Sequence, residues 1–170
     1  MSANSRPPEA KLILTTKGQR KMSWSTVPFG KYRGNTLPEI IMRDPDWFFW
    51  MVPKLYGRLG QQAQALARRI QAIKIPKSAA RRWAVEYRYD CDQRFREFAL
   101  VRVGSAFSCR WATRLPHLDL TWPLRQKRYD KRAGRIVIRD FRRQFFGKHS
   151  RLTKQRCEEF FSNDANFLAV

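Results

Sequence analysis

Apolar positions change their period several times along this chain, and those changes divide it. Over residues 1–22 no period is sustained. Ser, Asn and Pro open a stretch that closes on Lys17, Arg20 and Lys21, which reads as a flexible basic tail. Gly30 and Gly34 then bracket Lys31-Tyr32-Arg33, predicting a bend, a short extended piece and a second turn. Thr36 stands where a helix N-cap belongs, Pro38 fits a first turn, and Glu39 completes a capping box. Leu37, Ile40 and Ile41 supply the apolar face of that helix, expected to end near Arg43. Asp44-Pro45 opens a second helix over residues 45–52, which Pro53 stops. Ala63, Leu66, Ala67, Ile70 and Ile73 fall on one stripe and mark a third, over about residues 60–73. Ile75-Pro76-Lys77 reads as a linker, so residues 23–77 form a small helical module and a boundary falls near residue 78.

Beyond that boundary the period becomes two. Trp83, Val85, Tyr87 and Tyr89 alternate with Ala84, Glu86, Arg88 and Asp90, and Phe95 to Val103 returns after the turn chemistry of Cys91-Asp92-Gln93. This predicts a β-hairpin, with residues 109–113 as a third short strand. In the last third, Val137, Ile138, Phe141 and Phe145 lie on one helical arc and Arg128, Arg132, Arg135, Arg139, Arg142 and Arg143 on its neighbour. Two other readings of that stretch stay open: a strand at 135–140, favoured by Ile136-Val137-Ile138, or a shorter helix starting at Gly134. Gly147 reads as a C-cap, and Thr153 starts a last helix closed by Asn163-Asp164. The pattern gives an α+β protein in which residues 78–170 are a hairpin or small antiparallel sheet with basic C-terminal helices.

Charge changes the picture most. The 170 residues carry 35 Lys and Arg against 14 Asp and Glu, a formal net charge of +21. Such an excess opposes folding by self-repulsion and answers to a polyanion, with nucleic acid the first candidate and an anionic membrane surface the second. Aromatic residues at 14% exclude a wholly disordered polycation. The longest apolar run, residues 47–52, is far below the roughly 20 residues of a membrane span. Residues 125–156 hold thirteen Lys or Arg and only Asp130 and Asp140 as acids, whereas solvated charged faces normally alternate in sign. No signal peptide is expected, and three scattered cysteines without a CxxC pair fit a reducing compartment, the cytoplasm.

The stretch PFGKYRGNTLPEIIMRDPDWFFWMV, residues 28–52, resembles a small module at the C-terminal end of exodeoxyribonuclease X-like proteins. That pattern runs F-G-K-(Y/H)-(K/R)-G-x-(S/T)-L-x-x-(I/V), then D-P-x-Y, an apolar residue, x and W. Phe29, Gly30, Lys31, Tyr32, Arg33, Gly34, Thr36, Leu37, Ile40, Asp44, Pro45 and Trp50 match, with Trp47 or Phe48 in place of the Tyr. The resemblance covers about 45 residues with the helix that follows, and implies an accessory element of DNA metabolism that contacts nucleic acid. Nuclease activity is not expected to carry over with it, since the 27 residues before Pro28 are too few for the exonuclease domain that often precedes the module and hold no acid spacing of that class.

The expected function is non-catalytic nucleic-acid binding with low sequence specificity, and DNA is favoured over RNA. The expected contacts are Lys31, Tyr32, Arg33, Arg132, Arg135, Arg139, Arg142, Arg143 and Lys148. Trp47-Phe48-Phe49-Trp50 is assigned chiefly to the core, with base stacking as its alternative. Asp90 and Asp92 are read as turn residues, although a divergent metal-dependent nuclease would need them as ligands. His117 and Asp119, and the scattered Cys91, Cys109, Cys157 and His149, lack metal-ligand spacing, so no metal or cofactor is expected. A basic subunit of a nucleoprotein complex, with a protein partner, remains the structural alternative.

Overall fold

The computed structural model describes residues 23–76, 82–125, 131–148 and 150–169. The tail 1–22, Lys77 of the linker, the residue-78 boundary, Arg128, Asp130 and His149 lie outside the described residues. Among those described, six α-helices and one three-stranded antiparallel sheet make an α+β fold.

Local signals set the first two helices. At α1 (Leu37–Ile41) the Glu39 carboxylate accepts the Thr36 N–H at 2.9 Å and the Thr36 hydroxyl at 3.2 Å. At α2 (Pro45–Met51) the Asp44 carboxylate accepts the Trp47 N–H at 3.0 Å, and Pro53 falls in a 3₁₀ turn, Val52–Lys54. The third helix, α3 (Gly57–Arg69), starts three residues earlier than expected and ends four earlier. Gly57 supplies the turn at φ +60°, and Gly60 is enclosed: a Cβ there would meet the Leu55 carbonyl oxygen at 2.4 Å. Ile73, expected on the helix, is instead buried where its N–H donates to the Leu118 carbonyl at 2.9 Å.

The hairpin forms as expected from β1 (Trp83–Tyr89) and β2 (Phe95–Arg102), with Tyr87 opposite Phe98. Gln93 at φ +60° helps close its turn, in which Asp90 accepts the Arg94 N–H at 2.8 Å. The third strand is β3 (Thr113–Leu115) rather than 109–113, and it pairs with the other edge of β1. Residues 109–112 belong to the loop before it, whose Ser105 and Ala106 carbonyls accept the Arg114 guanidinium at 2.6 and 2.7 Å. That loop also covers Glu86. Glu86 points away from the Val85–Tyr87 core face and alternation would leave it wet, yet it is fully buried. The Ser108 hydroxyl, Arg88 at 3.0 Å and Arg114 at 2.6 Å hold its carboxylate.

After the short α4 (Trp122–Arg125), α5 (Lys131–Phe141) carries the basic arc. The stretch 135–140 is helical, and Val137, Ile138 and Phe141 are its buried stripe, so the β-branched run serves packing rather than a strand. A π-type turn, Arg142–Phe146, extends it to Gly147 at φ +90°. The last helix, α6 (Lys154–Ser162), begins at Thr153, whose hydroxyl accepts the Arg156 N–H at 3.3 Å.

One buried cluster joins these parts, from Val27 and Phe48 through Tyr87 to Phe141 and Phe161. Trp24 reaches across to donate its indole N–H to Ser162 at 2.9 Å. Where α5 crosses α2, Gly134 permits close approach: a Cβ there would stand 3.0 Å from the Pro45 ring and 3.1 Å from an Asp46 oxygen. This crossing sets the neighbourhood of the site.

Candidate nucleic-acid interface

Four of the arginines expected to contact nucleic acid lie along one groove. Arg135, Arg139, Arg142 and Arg143, with Lys148, line one open groove of about 520 Å³. The α-helical period places the first two a turn apart, and the π-type turn keeps Arg142 and Arg143 on the same side while Phe145 stays buried. Met42 and Ile138, both buried, contribute apolar surface to its lining.

Arg43 also lines this groove, and sequence reasoning missed it. It is a lone cation between α1 and the Asp44 cap, 92 residues from Arg135, so no charge run marks it. The crossing of α2 and α5 brings it in. Among the described residues no ion pair involves Arg43, Arg135, Arg142, Arg143 or Lys148, and all five are exposed. Arg139 differs, pairing with the buried Asp140 carboxylate at 2.8 Å. Burial pushes the Asp140 carboxyl above its ordinary range; Arg139 and the Phe98 N–H, which donates at 3.2 Å, offset that only in part. Arg132 is exposed on α5 but does not line the groove.

The glycine-bracketed turn is a separate arrangement. Gly30–Tyr32 forms a 3₁₀ turn, with Gly30 at φ +69° against the Trp47 ring. Lys31 pairs with Asp44 at 2.5 Å, and the Tyr32 hydroxyl donates to the same carboxylate at 3.1 Å. Hydrogen bonding to Asp44 raises the Lys31 pKa. Burial pushes the Asp44 carboxyl up, but Lys31, the Trp47 N–H and Tyr32 outweigh it and hold it below the usual carboxylate range. Lys31 and Tyr32 therefore brace the α2 N-cap, and Arg33 stands exposed beside them. Neither Lys31 nor Arg33 lines the groove.

Two of the other sequence candidates, Asp90 and Asp119, have structural partners. Asp90 accepts from its own turn and pairs with Arg96 at 3.0 Å. Asp119 is buried, accepts the Thr121 N–H at 2.8 Å and pairs with Arg125, while its backbone exchanges hydrogen bonds with the Tyr87 hydroxyl. Among the described residues no group of three or more His, Cys, Asp or Glu is placed to hold a metal ion. Likewise, no described helix is long and apolar enough to cross a membrane. Compared with known proteins, the chain matches no family model, no curated protein and no solved structure.

Proposed function

We propose that this protein binds nucleic acid, with DNA favoured, through phosphate contacts in the arginine groove and without catalysing a reaction on it. The convergence of five cations without ion pairs among the described residues on one groove carries this reading. Like charges gathered this way repel one another, and a polyanion turns that cost into counterion release. The planar guanidinium fork suits phosphate oxygens. Arg135 to Arg142 spans about 10 Å of helix axis, so its cations can meet more than one phosphate of a strand. Such contacts position a backbone without reading bases, hence the low sequence specificity.

Two further supports belong to the proposal. The likeness of residues 28–52 to the exodeoxyribonuclease X C-terminal module points the same way, and we carry it forward as a proposed kinship. Three cysteines without a disulfide support a cytoplasmic location. The test is fluorescence polarisation with a labelled DNA duplex over a salt series, with and without Mg²⁺. Affinity is expected to fall steeply with salt while the duplex stays intact. Salt-independent binding, or none, sinks the reading; Mg²⁺-dependent cleavage lost on substitution of Asp90 and Asp92 replaces it with a nuclease.

A further inference from the structure

The tetrad Trp47 to Trp50 is divided by the fold. Phe48 is fully buried, but Trp50 is 55% exposed, and Trp47 lies half-buried between it and Phe29, which is 41% exposed. The ring centroids of Phe29 and Trp47 are 6.3 Å apart and those of Trp47 and Trp50 6.1 Å, making one row along the outer side of α2. Tyr32 backs the row with its ring 5.0 Å from that of Trp47. Single exposed apolar side chains are ordinary; three adjoining aromatic rings are not. Cations border this row. The Lys54 ammonium sits 3.2 Å over the Trp50 ring, and Arg33 stands exposed four residues after Phe29. Asp44, the acid bonded to this turn, is neutralised by Lys31 at 2.5 Å. In the chain the row lies close to the groove: Arg43 lines the groove, and Trp47 follows it by four residues.

We propose that this aromatic row is a base-stacking platform for single-stranded nucleic acid whose phosphates the arginine groove holds. The inference rests on the nucleic-acid reading above and deepens it by naming the strand state. Duplex bases are already stacked and shielded, so only an unpaired strand can offer a ring face to Trp50. Aromatic rings provide sequence-tolerant stacking, and the bordering cations meet the backbone on either side.

The test uses the full chain with labelled oligo(dT) and a labelled duplex of equal length. Variants are Trp50→Ala, Trp50→Phe and, separately, Arg142→Ala with Arg143→Ala. Trp50→Ala is expected to weaken oligo(dT) binding by about five- to hundred-fold and to leave duplex binding within about twofold. Trp50→Phe should retain most of the affinity, and oligo(dT) should quench the tryptophan fluorescence. The platform is overturned if Trp50→Ala binds oligo(dT) like the parent, or if it loses oligo(dT) and duplex alike. It is also overturned if the parent binds duplex but not oligo(dT), which leaves the groove standing. An arginine variant that binds both probes like the parent, while Trp50→Ala loses oligo(dT), removes the groove and keeps the platform. Parallel sedimentation with phosphatidylcholine–phosphatidylserine vesicles covers the other surface rich in aromatics and lysine. Vesicle binding that depends on Trp50, with oligo(dT) binding that does not, overturns the proposal.

Discussion

Removing Arg142 and Arg143 together should change how binding depends on salt as well as how tight it is. The groove presents five cations without an ion pair among the described residues: Arg43, Arg135, Arg142, Arg143 and Lys148. Arg139 is left out because Asp140 already compensates it. If each of the five neutralises one duplex phosphate, a slope of log affinity against log salt of about −4.5 follows, or about 500-fold between 50 and 200 mM. Without Arg142 and Arg143 the groove's share becomes about −2.7, or about 40-fold over the same range. Other surface cations add equally to both proteins, so the difference of about 1.8 is the quantity to measure. Polarisation titrations at five or more salt concentrations read it directly, and thermal melts check that these two exposed residues leave the fold intact. Arg96→Ala, which removes a cation paired with Asp90 on the hairpin turn, should leave the slope unchanged. Equal slopes for the double variant and the parent would refute the groove as the phosphate site.

Other expectations concern the scaffold. Gly60→Ala should destabilise the protein by about 1–3 kcal/mol in urea unfolding, although Ala exceeds Gly in helix propensity by about 1 kcal/mol. The added Cβ meets the Leu55 backbone 2.4 Å away, and a stabilised variant would show that this turn relaxes freely. Glu86→Ala, which removes the carboxylate partner of Arg114 and leaves Arg88 only Glu97 at 2.6 Å, should cost about 3 kcal/mol, the lower end for a broken buried pair because both guanidiniums keep some access to water. Burial raises the Glu86 carboxyl, but Ser108, Arg114 and Arg88 more than reverse that, so its folded pKa lies below the unfolded one. Its stabilisation is therefore full above the unfolded value near 4.5 and is lost as pH falls through the folded value. Acid titration of Glu86→Gln should lack this component; a slope identical to the parent's would contradict it. Burial pushes the Cys157 thiol up to about 12, so a thiol reagent should modify exposed Cys91 first and reach Cys157 only on unfolding, as mass spectrometry can read.

Local physics was legible in the sequence, and long-range physics was not. Thr36 with Glu39, Asp44 with Pro45, and Thr153 satisfy backbone N–H groups within three residues of themselves, so their signals are complete in a short window. The hairpin was visible because its turn and its alternation are also local. Glu86 defeated the alternation because its partners Ser108 and Arg114 arrive from a loop and strand more than twenty residues away. Arg43 was invisible for the same reason. Its charge means little until the α2–α5 crossing at Gly134 brings two distant segments together. For Trp47 to Trp50, helical spacing alone put four large rings in the core, but α2 has seven residues and one buried side. It could not bury them all.

The groove's charges come from two distant segments of the chain, and this ties its existence to tertiary structure. Arg43 faces the α5 arginines only while α2 is docked on α5, so the unfolded chain has no equivalent surface. Salt then acts with opposite signs on the two equilibria. Screening eases the repulsion that works to open this corner, favouring the folded state, and at the same time weakens the attraction for a polyanion. On the proposed nucleic-acid reading, a bound polyanion substitutes for the salt, so in dilute electrolyte the protein is held most firmly together with the polyanion bound and least firmly without it.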